Sequence, residues 1–215
     1  MRRTFISLCL VLLPGFSVIA QGQPPAKFVV YGQNIEERAS SRIGYWRNNV
    51  NAGIGEVVIS YGRPPWNSQR SQQMEQLKGT MWRMGDNYWS ILDTNLPIRL
   101  GEMDVPVGLY YVAVARSKDG NDWDLVLIDP DESRQKGLDS YDVGARPGEI
   151  PVLMKTPITF EPNQGEPVEK LTILLKLDNG SNIDGRMTIS WGNFRLSTSV
   201  RVKLPEHTQE NGKED

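Results

Sequence analysis

Four apolar residues, Leu171, Ile173, Leu175 and Leu177, alternate with Thr172 and Lys176 over one short stretch. A period of two lays them on one face of an extended strand and leaves Leu174 as the exception, on the opposite face. After a turn over Asp178 to Gly185 the alternation resumes with Met187, Ile189 and Trp191, followed by Gly192-Asn193 and then Phe194 and Leu196. A two-residue loop that begins with glycine closes an antiparallel hairpin and sets Trp191 opposite Phe194. The same period marks Val57, Ile59 and Tyr61, a strand that Gly62-Arg63-Pro64-Pro65 must end, because two prolines cannot extend a central ladder.

The rest of the chain is punctuated in the same way. Leu109 to Arg116 reads as a strand, Lys118-Asp119-Gly120-Asn121 as a hairpin turn, and Trp123 to Ile128 as a strand apolar on both faces and so covered on both. Tyr88 to Thr94, Ile98 to Leu100 and Ile150 to Phe160 are extended, the last interrupted by Pro157. Ser68 to Leu77 spaces Met74 and Leu77 for one helical face, with Gly79 as its stop. Glu36 to Asn51 and Asp129 to Pro147 read as loops with one helical turn each, and Phe28 to Tyr31 as a first strand. These signals predict an all-β, antiparallel, jelly-roll-like β-sandwich with one short helix and long loops. A single domain spans residues 28–204, and residues 205–215 form a disordered polar tail.

Residues 1–20 read as a secretory signal peptide, with Arg2-Arg3 ahead of the apolar run Phe5 to Ile19 and a small-x-Ala site at Val18-Ile19-Ala20. A linker over 21–27 follows. The expectation is therefore an exported protein, periplasmic or extracellular, with no membrane span once the peptide is removed. Cys9 leaves with that peptide, and the one histidine, His207, lies in the tail. Ser-His-Asp and Cys-His catalysis, and zinc held by His or Cys, are thereby excluded. The formal charge of −2 gives no basic face for a nucleic acid. No cofactor motif occurs, so no cofactor is expected.

An ordered string of motifs resembles the secreted domain-of-unknown-function 2911 family. It comprises Ile59-Ser60-Tyr61-Gly62-Arg63-Pro64, then Leu77-x-Gly79-x-x-Trp82-Arg83-x-Gly85-x-Asn87, Val105-Pro106-Val107-Gly108-Leu109-Tyr110 and Trp123-x-Leu125-Val126. Leu171-Thr172-Ile173 and Thr188-Ile189-Ser190-Trp191-Gly192 through Arg195 complete it. The likeness covers about residues 55–204, and the polar region before Gly55 has no counterpart in it. It implies a β-sandwich in an exported protein and no particular activity.

The candidate ligand-binding residues are Arg63, Trp66, Trp82, Arg83 and Asn87. Two guanidiniums beside an indole suit a carboxylate or a sugar, the arginines by bidentate bonds and the indole by stacking. The same residues serve equally as a structural lock in which arginine satisfies loop carbonyls. Because Trp82 and Arg83 adjoin, their side chains point apart, and Arg83 needs another partner: Asn87, Tyr61 or a loop carbonyl near Pro64. Trp46, Trp66 and Trp89 near strand ends are candidates for an exposed aromatic platform or for capping the sandwich. Asp119 to Asp124 has oxygen ligands at alternate positions but lacks a calcium loop's closing glutamate, and a hairpin explains it. Catalytic residues and metal ligands are expected to be none. The leading expectation is a non-catalytic protein that binds a glycan or another cell-envelope polymer through loops at one end. The alternatives are a hydrolase using two carboxylates drawn from Asp86, Glu102, Asp104 or Glu149, and a structural envelope protein.

Overall fold

The computed structural model describes residues 37–47 and 51–205. The signal peptide, the linker, the strand expected at Phe28 to Tyr31 and His207 lie outside these residues.

The fold begins with a hairpin. Strand β1 (Arg38–Arg47) pairs antiparallel with β2 (Ala52–Gly62). β1 corrects the loop expected over Glu36 to Asn51. Its signal is weak because Ile43 is its one fully buried residue, and the rest of the strand faces solvent or a half-covered edge. In β2, Val57, Ile59 and Tyr61 all point inward and are buried, as their alternation requires. Burying a side chain such as Ile59, which is 0% exposed, is worth roughly 1.5–3 kcal/mol.

Helix α1 (Ser68–Gln76) follows the two prolines. Asn67 caps it by accepting a hydrogen bond from Arg70 N at 2.9 Å, and Met74 is its buried anchor. It ends at Leu77, short of Gly79. Four short strands come next: β3 (Thr80–Trp82), β4 (Ser90–Thr94), β5 (Ile98–Leu100) and β6 (Met103–Val105). β7 (Gly108–Arg116) and β8 (Trp123–Ile128) form the expected hairpin around Gly120, whose φ is +85°.

Where a loop with one helical turn was expected over Asp129 to Pro147 there are two short helices, α2 (Pro130–Gln135) and α3 (Asp142–Ala145). Asp129 caps the first, accepting from Asp131 N at 2.8 Å and Glu132 N at 2.9 Å. Together with Leu138 and Ile150 this segment covers the outer faces of β7 and β8, burying Ala113, Val126 and Ile128. That cover explains why Trp123 to Ile128 is apolar on both sides.

β9 (Val152–Pro162), β10 (Val168–Leu177), β11 (Asp184–Gly192) and β12 (Phe194–Val202) complete the chain. The main path runs β1-β2-β4-β7-β8-β9-β12-β11-β10, antiparallel throughout. β9 joins two sheets, pairing with β8 over Val152 to Ile158 and with β12 over Thr159 to Pro162. Pro157 falls where only the β8 side of β9 is paired, so its missing N–H is tolerated. Trp191 pairs with Phe194, and Leu174 is exposed while Leu171, Ile173 and Leu175 are buried.

The two ends of the path meet, so the sheet is nearly closed. Leu175 N donates to Ser41 Oγ at 2.8 Å, and Tyr61 OH donates to the Ile173 carbonyl at 3.2 Å. Beyond β2 the corner continues the seam: Leu171 N donates to the Pro64 carbonyl and Trp66 N to the Glu169 carbonyl. The larger apolar core lies inside this closure. Among the described residues no helix is long and apolar enough to cross a membrane.

Candidate functional site

One end of the closed sheet is finished in aromatic rings. Trp82, the last residue of β3, stacks on Trp191 of β11 with centroids 5.0 Å apart and planes 5° from parallel. Trp66 meets Trp191 edge-on at 5.1 Å and 77°. From Trp66 the rings continue to Phe194 at 5.9 Å, Phe160 at 5.7 Å and Trp123 at 6.1 Å. Such tilted and edge-on contacts are worth about 0.5–1.5 kcal/mol each beyond area burial. Trp191 is fixed further by its Nε1, which donates to the Pro64 carbonyl at 3.0 Å. Gly192 must be glycine: its φ is +56°, and a Cβ there would lie 2.0 Å from the Trp66 ring.

After Trp82 the chain makes a constrained turn. Met84 and Asn87 have φ of +52° and +62°, and Gly85 has +156°. A left-handed Met costs roughly 1–2 kcal/mol, and full burial of its side chain holds it in place. Gly85 allows the loop to press against the Gly62 backbone, 3.3 Å from where its Cβ would be. Backbone strain of this kind concentrates where side chains must be presented in one orientation.

The turn presents Arg83 and Asp86. The Arg83 guanidinium lies over the ring of Tyr141, 4.0 Å from its centroid. Its Nη2 is 3.8 Å from Asp86 Oδ1, outside hydrogen-bond distance, and its buried Nε has no partner among the described residues. The other oxygen of Asp86 accepts from Arg70 of α1 at 3.1 Å, and Arg70 in turn lies over Trp191 at 5.6 Å. Gln69 and Gln73, one helical turn apart on α1, complete the wall of a cavity of about 360 Å³ floored by Trp82 and Trp191.

The expected residues are distributed as follows. Trp82 and Arg83 line the cavity. Trp66 stands behind it, against Trp191. Asn87 reaches it through Tyr141, whose OH donates to Asn87 Oδ1 at 3.3 Å, while Ser140 Oγ donates to the Asn87 carbonyl. Arg63 faces the seam instead: its Nε donates to the Leu171 carbonyl at 3.2 Å and its Nη1 pairs with Glu37 at 2.8 Å. The partners foreseen for Arg83 are otherwise engaged, since Tyr61 bonds Ile173 and the Pro64 carbonyl receives Trp191. Arg70, Tyr141 and the two glutamines were not found from sequence. The i, i+4 spacing of Gln69 and Gln73 behind the Asn67 cap was the one available signal for them.

Trp46, Trp66 and Trp89 do not form one platform. Trp46 is 59% exposed at the end of β1, and Trp89 stacks on Tyr111 at 4.4 Å in the outer core. The acidic residues are also scattered. Asp104 pairs with Lys203 at 2.8 Å and Glu149 with Arg146 at 3.0 Å, and Asp86 is the one carboxylate lining the cavity among the described residues. The hydrogen bond from Lys203 holds the Asp104 carboxyl below its usual range. Asp119 is held low in the same way, first by Ser117 Oγ and then by the Asn121 backbone N–H. Its oxygens thus close the hairpin turn. Among the described residues no group of three or more His, Cys, Asp or Glu is placed to hold a metal ion.

A family model described as "Protein of unknown function (DUF2911)" matches residues 46–200. The match begins at Trp46, so part of the polar region before Gly55 has a counterpart after all. No curated protein and no solved structure matches the chain.

Proposed function

The chain belongs to the DUF2911 family, and from that premise we propose a non-catalytic binding protein that takes a carbohydrate or envelope polymer into the cavity beside Trp82. The observation that carries this reading is the composition of the cavity. Half-buried Trp82, backed by the buried Trp191, lines it, and planar polar groups from Gln69, Gln73, Arg70, Arg83 and Asp86 surround it. Sugars present apolar C–H faces to stack on indole and hydroxyls to pair with amides, guanidiniums and carboxylates. A volume of about 360 Å³ falls within the range of small-ligand sites. The single lining carboxylate supports binding over a hydrolase, since glycosidic cleavage ordinarily uses two. The signal-like residues 1–20 support action outside the cytoplasm, where such polymers are found.

The test is a glycan and cell-wall-fragment screen on the protein, read by intrinsic tryptophan fluorescence and calorimetry. Binding that falls at least tenfold in Trp82→Ala, with the circular dichroism spectrum retained, is the expected result. The reading is overturned by no response to any glycan or fragment, or by a Trp82→Ala variant that binds as the parent does.

A further inference from the structure

We infer that the ligand of this cavity carries a carboxylate, which enters between Arg70 and Arg83 in competition with Asp86; the inference rests on the binding reading above. Among the described residues two guanidiniums and one carboxylate line the cavity, so the cluster carries one positive charge in excess. Asp86 serves the two arginines unequally. It bonds Arg70 at 3.1 Å but stands 3.8 Å from Arg83. The Arg83 side chain is 14% exposed, and among the described residues its buried Nε has no acceptor. The buried Nε is out of a ligand's reach, so an incoming anion bonds the Nη end, where Asp86 stands beyond hydrogen-bond distance; charge-assisted bonds there offset the cost of holding the guanidinium half out of water.

The geometry selects a carboxylate on a ring over a free small ion. The Tyr141 ring and the strained Met84-Gly85 turn fix the position of Arg83, so its donors are preorganised. Trp82, the neighbouring residue in the chain, supplies a plate beside those donors for the body of the same ligand. Gln69 and Gln73 stand along the α1 wall for neutral hydroxyl or amide groups. A sugar acid fits this combination: one negative group for the arginines, one apolar face for the indole and several hydroxyls for the amides. Uronic acid polymers and the lactyl ether of muramic acid share that chemistry.

Two matched pairs of probes test it by calorimetry at low ionic strength. The first pair is trigalacturonate and its methyl ester. The second is the N-acetylglucosamine–N-acetylmuramic acid disaccharide and chitobiose. The acid of at least one pair should bind at least tenfold more tightly than its neutral partner, and which pair responds identifies the source. Arg70→Gln should reduce that preference to under threefold. Asp86→Asn, which removes the competing charge while keeping the shape, should raise affinity for the acid by about threefold or more. A cluster that merely holds the fold predicts no such gain. Equal binding of acid and neutral partner overturns the inference and leaves the binding reading standing. Acid preference unchanged in both variants overturns it too, because the anion is then held elsewhere. Failure of all four probes overturns it, while the broader screen decides the binding reading separately.

Discussion

The guanidinium of Arg83 lies over the ring of Tyr141, 4.0 Å from its centroid, and this contact joins the turn after β3 to the segment leading into α3. It gives Arg83 a structural role independent of any ligand. Removing it with Arg83→Ala should cost about 1–2 kcal/mol, the range for a desolvated cation–π contact, read as a lower urea midpoint with an unchanged m-value. Tyr141→Phe keeps the ring and loses only the bond to Asn87 Oδ1, so it should cost under about 1 kcal/mol. Equal losses in the two variants would show that the hydroxyl, and not the ring, is what matters.

Arg63 works on the seam. Arg63→Ala strips a hydrogen bond from the Leu171 carbonyl and should destabilise by about 1–2 kcal/mol. Glu37→Gln, which weakens the exposed pairs of Glu37 with this arginine and with Lys170, should cost less than the arginine change. Neither change should alter the affinity of a ligand held beside Trp82. Denaturant melts and calorimetry on both variants check this, and a selective loss of binding in Arg63→Ala would move it into the site.

Gly192→Ala should be among the most damaging single substitutions. It places a Cβ 2.0 Å from the Trp66 ring and forces a side chain onto a backbone with φ of +56°. Overpacking and left-handed strain together should cost about 2–5 kcal/mol. Near-ultraviolet circular dichroism should weaken with it, because the Trp66–Trp191 contact must open. An alanine variant that melts within a degree of the parent would contradict this packing.

Stability should fall in acid. Hydrogen bonds and ion pairs hold the carboxyls of Glu37, Asp104, Asp142 and Asp184 below their usual values, with Lys170, Lys203, Arg146 and Arg201 the respective leading partners. A folded-state value below the unfolded one stabilises the protein above the ordinary carboxylate range. That contribution fades as pH drops below about 4. The urea midpoint should therefore decline from pH 5 toward pH 3, and less steeply in high salt, as these groups are near the surface. At the other extreme, burial and then the Asp184 charge push the Tyr45 hydroxyl up to about 12. The unfolded chain ionises this tyrosine first, so stability should fall as pH climbs from about 10 toward 12. Absorbance at 295 nm on Tyr45→Phe against wild type reports the missing late titration.

Much of the fold was legible because its signals are local. The alternation at Val57, Ile59 and Tyr61, the Leu174 exception and the Gly192-Asn193 loop each follow from a period of two and a turn type. β1 was illegible for a physical reason: a strand at the seam buries little, so Arg38 to Arg47 carries almost no pattern. Of the two helices of Asp129 to Ala145 only one turn was expected, and neither could be placed, because each is too short to show a helical period. Trp82 and Arg83 were conspicuous within the segment Trp82-Arg83-x-Gly85-x-Asn87. Arg70 and Tyr141 were not, because only the closed sheet brings α1 and the approach to α3 against the same turn.

The seam also has a consequence in time. Its bonds join residues more than a hundred positions apart: Tyr45 to Asn182, Ser41 to Leu175, Tyr61 to Ile173 and Arg63 to Leu171. At typical synthesis rates β1 waits on the order of ten seconds before β10 exists. Until β10 is in place, the outer edge of a formed first hairpin carries backbone groups that another extended chain could pair with. Arg38, Arg42 and Arg47 lie along it, exposed, and like charges of this kind are how nascent edges keep from pairing with one another. The polar character that hides β1 in the sequence thus also opposes pairing at this edge for as long as the sheet is not closed.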